Sequence, residues 1–230
     1  MHAAECRWVM VDRLPSAALA CVVGWCLGWA SALLTDWLHP PEAAQHVSAV
    51  RRLLLRDPIV QSASALVWGS IPIFIPGDWW LWAKAGLLAI PLIQVAVTDM
   101  RARYVYSVVA LIGLCLGLAF GWQVHHVDWW TGLAGAAGGF GSFGALYLFG
   151  LLFARVRYGG RVEPMARGDI GIAAMVGAGA AACTAQALVL GVLISGLLAV
   201  GFLIVRRSGR ASMPYGPGLC VGGLVTLFFC

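Results

Sequence analysis

An all-α polytopic membrane protein of about eight transmembrane helices, with no soluble domain, is the fold class that the sequence predicts. Three observations carry it. Of 230 residues, 61% are hydrophobic and only 11% are charged, against about 25% charged in an ordinary soluble domain. The mean hydropathy is +0.86. The 11 Trp suit a chain with two lipid–water interfaces. The net charge of +5 is therefore read against a bilayer, and nucleic-acid binding is not expected.

A helix needs about 20 mostly apolar residues to cross the hydrocarbon core. That length places spans over Pro15–Leu38, Ile59–Pro76, Trp79–Thr98, Tyr104–Trp122 and Trp130–Ala154. The first apolar run is followed by no small-residue cleavage site and reads as a retained span. The stretch Ile170–Val205 is too long for one helix and is expected to break near Cys183-Thr184. Pro214–Cys230 supplies the eighth span.

The basic residues orient this series. Arg51, Arg52, Arg56, Arg101, Arg103, Arg155, Arg157, Arg161, Arg167, Arg206, Arg207 and Arg210 all fall on one side, leaving Arg7 and Arg13 opposite and Lys84 inside the third span. The positive-inside rule makes the arginine-rich side cytoplasmic and turns both termini outward. The largest loop, residues 39–58, is short, so residues 1–230 read as a single transmembrane domain.

The seven Cys contain no C-x-x-C pair. They are expected to pack as small apolar side chains, without a disulfide framework or zinc site. The fifth span carries Gly135 and Gly139 in a G-x-x-x-G pattern, which implies close packing within the bundle, with dimerisation or a thin wall beside a groove as alternatives.

Ionisable residues at helix ends and interiors are the first place to look for chemistry in such a chain. Asp12, Asp78 and Asp128 fall in outer turns, Glu42, Asp57 and Glu163 in cytoplasmic loops, and Asp36 in the last turn of the first span. Asp99 and Asp169 differ. Asp99 ends the third span, Asp169 opens the sixth, and the arginine count sets both at the cytoplasmic border. Two carboxylates held in contact do not both ionise easily, so one keeps its proton. One can then activate water while the other protonates a scissile carbonyl. The same positions also suit helix capping, pairing with Arg101, Arg103 or Arg167, or a proton or ion path.

Other chemistries are less well supplied. His125-His126 with Asp128 is a candidate metal or acid–base cluster, but it has no fourth ligand in reach along the sequence. Ser142 lacks a G-x-S-x-G context, because Phe140 stands at the upstream glycine position. No phosphate-binding loop is present in the sequence.

Local motifs narrow the reading. The stretch Met165-Ala166-Arg167-Gly168-Asp169-Ile170-Gly171 resembles the G-x-G-D segment of type IV prepilin peptidases, which are intramembrane aspartic proteases. Ala96-Val97-Thr98-Asp99-Met100-Arg101 is similar to the segment holding their other catalytic Asp. Met213-Pro214-Tyr215-Gly216-Pro217-Gly218 is similar to the Pro-x-Gly-Pro signature that opens their last helix, and Gly28–Leu34 is weakly like the end of their first span. Three departures stand out. Ala166 replaces the first Gly, Gly171 occupies a position often held by Lys, and Tyr104-Val105-Tyr106-Ser107 replaces an Ile-Pro. The 39–58 loop has no Cys, so the resemblance is to a short form without the Cys-rich zinc module, and methyl transfer is not expected.

The resemblance implies an aspartyl endopeptidase of the bacterial inner membrane, acting near the cytoplasmic face. Its substrate would be a prepilin or pseudopilin, of a type IV pilus or secretion system, whose short basic leader is cut from an apolar helix in the bilayer. Asp99 and Asp169 would be catalytic, with no metal and no cofactor. Gly168 would allow close approach of the substrate. Arg167 would tune the Asp pair or hold a lipid phosphate. Pro214, Gly216 and Pro217 would support the site. A homo-oligomer is left open. The alternative class is a non-enzymatic membrane subunit or a proton- or cation-coupled transporter, for which matched halves are expected and no internal duplication is evident.

Overall fold

The computed structural model describes residues 2–37, 58–102, 105, 107–158, 165–206 and 215–230. The expected 39–57 loop and Pro214 lie outside these, as do Arg51, Arg52, Arg56, Arg103, Arg161, Arg207 and Arg210. The described residues form an all-helical fold without strands. Eight helices lie among them: α1 (His2–Trp37), α2 (Pro58–Phe74), α3 (Trp79–Ala102), α4 (Ser107–Val124), α5 (Trp129–Tyr158), α6 (Gly168–Ala180), α7 (Thr184–Arg206) and α8 (Gly216–Phe229).

α1 and α3 extend beyond the spans predicted for them. α1 starts well before Pro15 and runs through it, at the cost of one backbone hydrogen bond. α3 continues past Thr98 to Ala102, so Asp99 lies inside its last turn. By length and composition, five stretches among the described residues can cross a membrane: Arg13–Ala30, Trp79–Met100, Ser107–Val124, Trp129–Arg157 and Gly168–Gly201. Ile59–Phe74 and Gly216–Phe229 are shorter apolar helices.

The Gly168–Gly201 stretch is not one straight rod. A 3₁₀ turn, Ala181–Cys183, separates α6 from α7, at the break expected near Cys183-Thr184. Ala181 has φ 46°, a left-handed value uncommon outside glycine. The Thr184 hydroxyl donates to the Gly177 carbonyl at 3.0 Å and the Ala181 carbonyl at 2.6 Å. The helix contacts fix the directions. Gly218 abuts Ser195 while Gly222 abuts Gly191 and Ala187, so α8 runs antiparallel to α7. Gly216 abuts Ile172 while Gly223 abuts Val176, so α8 runs parallel to α6. The chain therefore reverses between α6 and α7.

α6 is the axis of the bundle. It is rich in Gly and Ala, and nine of its 13 residues are buried, including all of Ile172–Ala178. Ile172, Met175 and Val176 join Leu92 and Val95 of α3, Val109 of α4, Phe143 of α5 and Leu219 of α8 in one core. Gly135 and Gly139 place the α5 backbone directly on the α6 carbonyls of Gly177 and Ala173. The G-x-x-x-G thus serves packing within the bundle, whereas Gly138, Gly141 and Gly144 face open space.

α1 and α2 form an antiparallel pair against α3. A side-chain carbon at Gly24 would come within 2.6 Å of Trp68 Cβ. Near the end of α2, the N–H that would meet the Pro72 carbonyl belongs to Pro76 and does not exist. Arg13 Nη1 donates to that carbonyl at 2.9 Å instead.

One expectation is overturned. Cys183 and Cys230 form a disulfide that ties the α6–α7 turn to the end of α8. Forty-seven positions separate them, but the reversal at Ala181–Cys183 and the antiparallel return of α8 carry both sulfurs to one end of the bundle. Cys21, Cys26, Cys115 and Cys220 are free thiols.

Candidate functional site

The two singled-out aspartates come from helices of opposite direction, and this brings them to the same end. α3 is antiparallel to α8, because Leu92 meets Gly223 while Asp99 meets Gly216. α6 is parallel to α8. The last turn of α3 and the first turns of α6 and α8 therefore converge.

Asp99 is 6% exposed and Asp169 is 3% exposed. Burying a carboxylate this far is costly without compensating groups. Their charges lie within reach of one another. Asp169 sits in the first turn of α6, where its N–H donates to the Ala166 carbonyl at 3.1 Å. Asp99 faces the first residue of α8. Each carboxylate thus meets a helix N-terminus, whose partial positive charge favours an anion.

Gly216 makes the approach to Asp99 possible. A side-chain carbon there would overlap Asp99 Oδ2 and lie 3.1 Å from its Cγ and 2.9 Å from Ile172 Cδ1. Pro217 is fully buried in the first turn of α8, where its fixed φ suits the helix and its missing N–H has no partner to lose. The start of α8 is also held from α7. Ser195, 3% exposed, donates its hydroxyl to the Tyr215 carbonyl at 3.0 Å, and Gly218 leaves room for Ser195 and for the Gly191 carbonyl.

On α3, Gln94 and Thr98 are buried one turn apart below Asp99. The Thr98 hydroxyl donates back to the carbonyls of Gln94 and Val95, at 2.9 and 3.1 Å. Cys220, fully buried one turn beyond Gly216, lies within electrostatic reach of both aspartates. Its placement was not foreseen, since an apolar context reads as inert packing. The i, i+4 spacing from Gly216 was the available signal. Ser195 was missed as well, because nothing in its apolar run distinguishes it.

Arg167 is exposed, and its Nε donates to Tyr147 Oη on α5 at 3.2 Å. Gly168 lies against Val105, with 3.2 Å between a side-chain carbon placed there and Val105 Cβ. Arg167, Gly168 and Gly171 line a groove of about 350 Å³ together with Val105, Ala110 and Phe140. Gly168, the residue before Asp169 in the chain, is part of this lining. The remaining acids with described side chains do not join the site. Asp78 is exposed and caps α3, its Oδ1 accepting the Leu81 N–H at 3.0 Å, and Asp128 is exposed in the α4–α5 link.

The His125 cluster assembles differently from expectation. Its ligand atom lies within 4.8 Å of those of Cys183 and Cys230, and Asp128 is not part of that group. Both sulfurs are taken up by the disulfide, and the imidazole Nε2 meets the Gly179 carbonyl at 3.2 Å.

The family model of the type IV leader peptidase family matches residues 86–204, a segment that contains both aspartates and ends before Gly216. No curated protein and no solved structure matches the chain.

Proposed function

The chain belongs to the type IV leader peptidase family, and from that premise we propose that it is an intramembrane aspartyl endopeptidase using Asp99 and Asp169. The observation that carries this reading is the convergence of these two buried carboxylates at one end of the bundle, beside the Gly216-Pro217 turn. In the proposed reaction, the ionised aspartate takes a proton from water as its oxygen attacks the peptide carbonyl carbon. The other aspartate protonates the carbonyl oxygen. Collapse of the tetrahedral species breaks the C–N bond: the amine leaves with a proton from the first aspartate, and a gem-diol hydroxyl returns its proton to the second as the carboxylic acid forms. Two carboxylates are sufficient for this chemistry, so the reaction takes no metal or organic cofactor.

The proposed substrate is a prepilin or pseudopilin with a short basic leader and an apolar helix. All eight helices would cross the bacterial inner membrane, and the arginine distribution supports a cytoplasmic face for the aspartate end. The leader would stay on that side while the apolar helix lies in the bilayer. Gly216 and Pro217 set the distance between α8 and Asp99, and Pro214 precedes that turn in the sequence. Gly168 lets the peptide backbone come close to Asp169, and Arg167 lies at the rim of the groove. With no Cys in the 39–58 loop, the cleaved product would leave unmethylated.

Co-expression with candidate prepilins, followed by N-terminal sequencing of the product, tests this reading. A new N-terminus at the leader–helix border, dependent on both aspartates, is the expected result. Unprocessed substrate from every candidate would count against it.

A further inference from the structure

The end of the bundle away from the aspartates holds a second feature. Lys84 lies on α3 fifteen positions before Asp99, about 22 Å along the axis at 1.5 Å per residue. It falls within the apolar Trp79–Met100 stretch. A lysine inside such a stretch is costly unless its ammonium reaches water or a partner.

Lys84 lines a pocket of about 1050 Å³ between the α2–α3 turn and the α4–α5 link. Trp80, Trp122, Gln123 and His126 share the lining. Among the described residues Lys84 has no ion-pair partner. The one acid in the pocket, Asp78, is engaged as the α3 cap. His126 has φ 52°, a strained value for a non-glycine residue, and this turn is what presents it at the pocket. Stacked Trp pairs mark the same level of the bundle, with Trp79 on Trp80 at 4.2 Å and Trp129 on Trp130 at 5.4 Å between ring centroids. Indoles gather where lipid headgroups meet the hydrocarbon.

We propose that this pocket binds a phosphate group through Lys84, carried by a phospholipid headgroup of the leaflet opposite the aspartates. The ammonium supplies the charge. The His126 ring is a polar neighbour, as is the Gln123 amide, whose nitrogen also donates to the Ala119 carbonyl at 3.2 Å, and Trp80 and Trp122 cover the glycerol region. An anion here replaces the water that an unpaired lysine otherwise requires, and it fixes the α2–α3 and α4–α5 links relative to each other.

Native mass spectrometry of the full chain in detergent tests the site, with phosphatidylglycerol, diacylglycerol or inorganic phosphate added in parallel. Wild-type protein is expected to retain one phosphatidylglycerol and no diacylglycerol. Lys84→Gln should lower that retention about fivefold, the size expected for one lysine at an anionic lipid surface, and Lys84→Arg should restore it. Lys84-dependent retention of inorganic phosphate alone would support the phosphate chemistry and assign the source to a free ion. Equal phosphatidylglycerol retention by wild type and Lys84→Gln would overturn the proposal, as would equal retention of diacylglycerol. Thermal midpoints of Lys84→Gln and Lys84→Arg, measured in the same detergent and expected to match wild type, separate a lost site from a lost fold.

Discussion

Gly216 and Asp99 touch: the first residue of α8 lies so close to the α3 carboxylate that any side-chain carbon at 216 would overlap Asp99 Oδ2. The neighbouring obstacle, Ile172 Cδ1 at 2.9 Å, is the tip of a flexible side chain and can turn aside. The Asp99 carboxylate can also turn, but only by changing its position relative to Asp169, whose charge is within its reach.

Gly216→Ala should therefore damage catalysis more than folding. Overpacking of this kind costs about 1–3 kcal/mol, which a bundle with this much buried surface can tolerate. The expected result is protein that is still expressed and extracted, with kcat for leader cleavage greatly reduced. Gly141→Ala is the matched control, since a side-chain carbon at Gly141 meets nothing within 4 Å. A steady-state comparison of the two variants checks this, and equal activity would contradict it.

The disulfide should stabilise the end of the bundle that holds the α6–α7 turn. Closing a loop of this length removes unfolded-state freedom worth about 2–4 kcal/mol. Cys183→Ser and Cys230→Ser should each lower the thermal midpoint by a similar amount, and the double variant should add little. Peptide mapping should find the Cys183 and Cys230 peptides unlabelled by alkylation until the protein is reduced.

Stability should also fall with acid through His125. Burial pushes its pKa below the ordinary 6.5, and the charge of His126 acts in the same direction, while the hydrogen bond to the Gly179 carbonyl opposes them. A carbonyl only accepts, so Nε2 carries the proton in that 3.2 Å contact. With a folded pKa below the unfolded one, the unfolded chain binds the proton first as pH falls below about 6.5. Stability is then lost from that pH down to the lowered folded value, and it levels off beneath it. Thermal midpoints measured from pH 7.5 to 5 should drop in wild type and drop less in His125→Gln.

Much of this architecture can be read from the residues. Composition alone excludes a soluble domain, and the excess length of Ile170–Val205 announces the break that the structure places at Ala181–Cys183. The aspartates were marked by being charges beside apolar helix, which is rare enough to be a signal. What could not be read depends on which helices become neighbours. Cys183 and Cys230 look like ordinary apolar-run cysteines until the α6–α7 reversal and the return of α8 bring them together. Cys220 and Ser195 acquire their roles only when α8 lies between α3 and α7. The apolar run from Pro15 marks the start of the first span to within two residues of Arg13–Ala30, but not the helical turns that precede it in α1.

The central claim is that Asp99 and Asp169 act as one catalytic unit, and cleavage of a prepilin by purified Asp99→Asn, Asp169→Asn and double variants tests it most directly. Asparagine keeps the size of the side chain and removes the titrating carboxyl. Each single variant should be folded and almost inactive, and the double variant should be no worse than either, as expected for groups that work together. Asp128→Asn should cleave like wild type. Substantial cleavage by Asp169→Asn or Asp99→Asn would contradict the assignment.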